Sequence, residues 1–137
     1  MLMTMHLNWI HIILLLCLAI AATGKAVMDT LNFHFCCCIF TKWTGHRWVD
    51  PGISWTNKYK GGDARNGPKF LGSTTVFVFV TDLWHFSDFI FLRFFFAVPI
   101  IYSFIHPIVT WWADYLIFSI FFGIVFETIY KLLQKKS

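Results

Sequence analysis

Residues 74–92, TTVFVFVTDLWHFSDFIFL, form an apolar stretch of membrane-spanning length that carries two Asp and one His. Asp82 sits near its centre, with His85 and Asp88 one and two turns further along. Ionisable groups at that depth in lipid are costly and mark a functional or partner-pairing site. Wound as an α-helix, the stretch gathers Thr74, Thr75, Thr81, Asp82, His85 and Asp88 into an arc of about 140°. The remaining surface is Phe, Val, Leu, Ile and Trp, and only Ser87 breaks the division. Eleven Val, Phe, Leu and Ile residues contribute roughly −4 to −5 kcal/mol to insertion, against about +5 to +6 kcal/mol for the two Asp. The stripe therefore requires partners elsewhere in the chain, or protonation of Asp82. Desolvation is expected to raise the Asp82 pKa, and a charged His85 to pull it back.

The rest of the chain has the same solvent preference. Of 137 residues, 58% are hydrophobic and 13% charged, with 17 Phe and 7 Trp. Soluble domains carry about a quarter charged residues, and a small soluble domain has too much surface to hide so many aromatics. Three further apolar stretches, residues 7–23, 94–109 and 113–130, complete an expected all-α integral membrane bundle of about four transmembrane helices. The chain is expected to form one membrane domain, 1–137. The first stretch lacks the basic residues that precede a signal-peptide core, so it is expected to be a retained anchor.

Residues 24–73 form the extramembrane connection between spans one and two. Its first part places Val27, Met28, Leu31, Phe35, Cys38 and Ile39 at helical spacing, an amphipathic helix that continues span one or lies in the interface. Its second part is dense in Gly, Pro, Asn and Asp, and carries Trp43, Trp48 and Trp55. That composition predicts a Trp-rich polar cap at headgroup level. Seven of the eleven Lys and Arg lie between Lys25 and Lys69, and Lys131, Lys135 and Lys136 close the chain. No nucleic-acid motif accompanies this charge, so anionic lipid is the expected counterpart. Four spans place both termini on one face and the connection on the other, with a slight lean of basic charge towards a cytoplasmic connection.

Two groups of residues follow from this arrangement. Arg93, at the expected turn between spans two and three, is positioned to bridge Asp88 and Glu127 in a structural ion cluster. His11 lies on that side as well, whereas His106 reads as a hydrogen-bonded packing histidine behind Tyr102. Asp82 and His85, deeper in the bilayer, are the candidate catalytic or relay pair. Lys58, Lys60, Arg65 and Lys69, followed by Ser73 as the expected cap of span two, form a candidate headgroup site, because cations and exposed N–H groups cradle phosphate.

Lys58 and Arg65 share the K-x6-R spacing of the membrane phosphatidic-acid phosphatases. Asn66 stands where that family has Pro, and neither P-S-G-H nor S-R-x5-H-x3-D follows, which excludes the family. Asp82-x-x-His85 is the one metal-like spacing within a span, and no metal or cofactor is assigned from it. Cys36-Cys37-Cys38 lacks zinc-site spacing and reads as small packing residues or as a site for S-acylation. The sequence predicts a small polytopic accessory or interaction subunit that meets lipid and other membrane proteins or itself. The alternatives are a lipid- or phosphate-handling or metal-dependent membrane enzyme, and a component of ion or proton transport.

Overall fold

The computed structural model describes residues 9–134. Among them the fold is all helical, with helices α1 (Trp9–Phe33), α2 (Pro51–Ser54), α3 (Leu83–Tyr102) and α4 (Trp111–Leu133), and short 3₁₀ turns between α1 and α3. Three of these, α1, α3 and α4, are long and apolar enough to cross a membrane. Their 25, 20 and 23 residues correspond to about 38, 30 and 34 Å, against a hydrocarbon core of about 30 Å. The start of the first expected span at Leu7, and Lys135 and Lys136, lie outside the described residues.

The expected second and third spans are one helix. Residues 74–81 are turns and a 3₁₀ segment, α3 begins only at Leu83, and it runs through Arg93 without a break. Six of those eight residues, Thr74, Thr75, Val76, Val78, Val80 and Thr81, are β-branched, which restricts side-chain rotamers in a helix. Asp82 then supplies a strong start, accepting the His85 backbone N–H as N-cap. Ser73, expected as the cap, instead anchors the connection. The chain turns at residues 103–110, where Pro107 lies; Pro99 is carried inside α3.

Helix α1 is central. Within its apolar stretch 44% of residues are buried, against 6% in α3 and in α4. Ala21, Ala22 and Ala26 are fully buried, and at Gly24 an added Cβ would lie 2.8 Å from the Ser87 carbonyl oxygen. Small residues thus let α1 and α3 approach backbone to backbone. Leu14, Leu18, Ile108 and Phe118 form the apolar core at one end. A second core of Leu31, Cys38, Phe40 and Val49 joins the connection to the other end, with Leu83, Trp84 and Leu133 packed on it. The apolar stripe expected from the connection is thus present at Leu31 and Cys38, on a continuation of α1 to Phe33 and the 3₁₀ turns beyond it.

Three crossings change the arrangement of the ends. His34 meets Tyr130 edge-on at 5.6 Å, and Cys38 bridges Gln134, so the end of α4 lies against the cap. At the far end, His11 near the start of α1 contacts the carbonyl of His106 at 3.2 Å. The start of α1 and the end of α4 therefore lie at opposite ends of the bundle, not together as four spans require.

Candidate functional site

The residues around Asp82 are built by the junction between cap and α3. The Leu83 backbone N–H donates to the Trp48 carbonyl at 2.8 Å, and the Asn57 amide donates to the Thr81 carbonyl. These bonds fix the chain direction immediately before the helix. Asp82, 1% exposed, accepts three bonds there: from the His85 backbone N–H at 2.9 Å, from the Thr81 hydroxyl at 3.1 Å, and from the His85 ring at 2.6 Å. It is a fully employed helix cap at the end of α3 rather than a charge in the middle of a span. Burial pushes its carboxyl up, but the bonds from the His85 ring and backbone, the imidazole charge and the Thr81 hydroxyl outweigh burial. They hold the group below the ordinary carboxylate value. Both expected influences are present, burial raising the carboxyl pKa and His85 lowering it, and the lowering one prevails.

His85 is the half of this pair that looks outward. Its Nδ1 is bound to Asp82, which orients the ring, and the residue lines an open groove of about 500 Å³ together with Asp88, Leu92, Arg93 and Phe96. Phe79 stacks on Phe89 at 4.2 Å, and with Val76 and Val78 it walls that groove. An imidazole aligned by a carboxylate is the arrangement of a general base. Among the described residues, no three His, Cys, Asp or Glu side chains come together as a metal site.

The expected cluster of Asp88, Arg93 and Glu127 is not assembled. Glu127 pairs with Lys131 one turn along α4 at 2.9 Å. Arg93 is exposed halfway along α3, its guanidinium 5.1 Å from the Phe89 ring centre. Asp88 and Arg93 form no ion pair among the described residues, since five positions place them about 140° apart round the helix. His11 belongs to the opposite end, and His106 is exposed and contributes its backbone carbonyl rather than a packed ring.

The basic residues of the cap are likewise spread out. Arg65 forks onto Asp63, holding that exposed carboxyl below its ordinary value, and Lys69 Nζ donates to Asn57 at 2.9 Å. Lys58 lies over the Tyr59 ring, and Lys60 is exposed. Ser73 is fully buried; its hydroxyl donates to the Lys58 carbonyl and accepts from the Lys69 backbone N–H. It closes the lobe 58–73 and is not presented to a ligand. Cys36 and Cys37 are exposed with their sulfurs 3.4 Å apart, and Cys38 is buried.

Asp114 is the buried carboxylate that hydropathy alone passes over. At 0% exposure it accepts from the Tyr102 hydroxyl at 2.8 Å and the backbone N–H groups of Ile108 and Val109 at 2.7 and 3.1 Å. It ties the 103–110 turn to the first turn of α4. The signal was present in sequence: an acidic residue four positions after Thr110, which caps α4.

Comparison with family models, curated proteins and solved structures finds no match.

Proposed function

We propose that this chain is an integral membrane protein of three spans that acts as an accessory or interaction subunit. The carrying observation is the outward face of α3, where Asp88 and Arg93 stand on an apolar helix without an ion-pair partner among the described residues. Charged residues at such depth are retained for pairing. The paired, buried state of Asp82 supports a structural role for that residue, and so supports interaction over chemistry.

Charge supports an orientation. Six Lys and Arg fall in the connection 34–82, and Lys131 lies in the last turn of α4, whose end packs against that connection, whereas the 103–110 turn has none. By the positive-inside rule the cap faces the cytoplasm, a stronger bias than four spans allowed. Lys60, Arg65 and Lys69 would then rest on anionic headgroups, next to the exposed apolar side chains of Phe70, Leu71 and Phe77.

One observation favours a second reading, a membrane-embedded enzyme or proton relay: the Asp82-oriented ring of His85 borders the groove. Extraction and mass test the accessory reading. An accessory subunit resists alkaline carbonate extraction and leaves native membranes in mild detergent with a protein mass above the 16.1 kDa of one chain. Release by carbonate, or a single-chain mass, would count against it.

A further inference from the structure

His85, Phe89, Leu92 and Phe96 recur on α3 at intervals of four, three and four, and all four line the same groove. That spacing is the a/d seam of a heptad. In this register Asp88 takes the g position and Arg93 the e position. In a parallel helix pair, each g residue faces the e residue of the following heptad on its neighbour, and Asp88 and Arg93 stand in that relation. The guanidinium already lies over Phe89, one position from Asp88, because helical side chains lean towards the N-terminus.

We propose that α3 is a self-association face. It docks a second copy of this chain in parallel, with Asp88 of each copy paired to Arg93 of the other. The proposal rests on the membrane-spanning reading, because insertion gives two copies the same direction across the bilayer. The face is self-complementary only in that direction, since an antiparallel pair sets Asp88 against Asp88 and Arg93 against Arg93. A two-fold arrangement makes both ion pairs at once. Lipid tails could cover Leu92 and Phe96, 39% and 60% exposed, but they offer nothing to either charge. With Phe79 stacked on Phe89, the centre of contact falls at Leu92 and Phe96.

The test uses the full chain in phosphatidylcholine vesicles, with the native cysteines replaced by Ala and a single cysteine introduced at Leu92 or Phe96. Mild oxidation is expected to give a disulfide-linked dimer at both positions and none for Ile120→Cys, on the exposed face of α4. Lipid-dilution energy transfer between terminal fluorophores on the wild-type chain gives the same readout without replacing cysteines. There, Asp88→Arg or Arg93→Asp should each weaken the dimer roughly tenfold, and the double exchange should restore it. A monomer at every dilution, equal cross-linking from Ile120→Cys, or a double exchange that restores nothing would overturn the proposal. Carbonate extraction of the same vesicles separates the failures. An inserted monomer defeats self-association alone, whereas an extractable protein defeats the membrane reading too.

Discussion

Replacing Gly24 by Ala sets two effects of opposite sign against each other. Ala is favoured over Gly inside a helix by about 0.8–1.0 kcal/mol. At Gly24, however, the new Cβ would sit 2.8 Å from the Ser87 carbonyl oxygen and 3.1 Å from the Phe91 nitrogen. Both are backbone atoms of α3 and cannot swing aside, so the helices must separate or shift. Overpacking of this kind costs about 1–3 kcal/mol. The clash should win, giving a net loss of about 1 kcal/mol for Gly24→Ala, and Gly24→Leu should lose more. Gly123 on α4 is the internal control, because nothing lies within 4 Å of its added Cβ. There, propensity acts alone, and Gly123→Ala should gain up to about 1 kcal/mol. Reversible unfolding in mixed micelles, followed by Trp fluorescence, measures both variants against the wild type. Equal stabilisation by the two substitutions would refute the close approach of α1 and α3.

Three more outcomes follow from the polar junctions. Asp82→Ala should cost about 1–2 kcal/mol as a lost cap, and Asp82→Asn should cost less while removing a pH dependence. The folded carboxyl lies below its ordinary value of 3.8, so the native state binds fewer protons. Its stabilisation is therefore complete above the unfolded value and lost as pH falls through the folded one. Acid titration of unfolding free energy should show that decline in the wild type and a smaller one in Asp82→Asn. Asp114→Ala should cost about 3 kcal/mol by stranding a buried N–H, a second half-buried N–H and a hydroxyl, whereas Tyr102→Phe, which removes one donor, should cost about 1 kcal/mol. Chemical denaturation of the two variants side by side gives the comparison. Ser73→Ala should loosen the lobe 58–73, seen as faster amide exchange at Lys69, whose N–H is shared between the Ser73 hydroxyl and the Lys58 carbonyl that this hydroxyl holds in place.

The apolar character of the chain, the helices around residues 7–23 and 113–130, and the Trp-bearing cap were legible in the sequence, because each rests on local composition. The boundary at Asp82 was harder. Hydropathy is high from Val76 to Val109 and does not register where a helix begins. The β-branched run before Asp82 and its D-x-x-H spacing did carry the information, as a poor helix former followed by a cap. Arg93 read as a turn because a charge in an apolar run resembles a boundary. In the structure Pro107 and the Asp114 anchor make that turn instead, ten or more residues later. The contacts of His34 with Tyr130 and of Cys38 with Gln134 join distant parts of the chain, and no local pattern encodes them. At the site, Asp82 and His85 are in contact, but the depth read for them depended on the helix boundary. Ser73, Glu127 and His11 were misplaced with it.

The most direct measurement of the proposed three-span arrangement is the sidedness of the two termini. Protease-protection of tags at each end, in sealed membrane vesicles, should find the N-terminal tag and the C-terminal tag on opposite faces. The C-terminal tag should share the cytoplasmic face with the basic cap, as odd span number and charge require. Both tags on the same face would contradict the account.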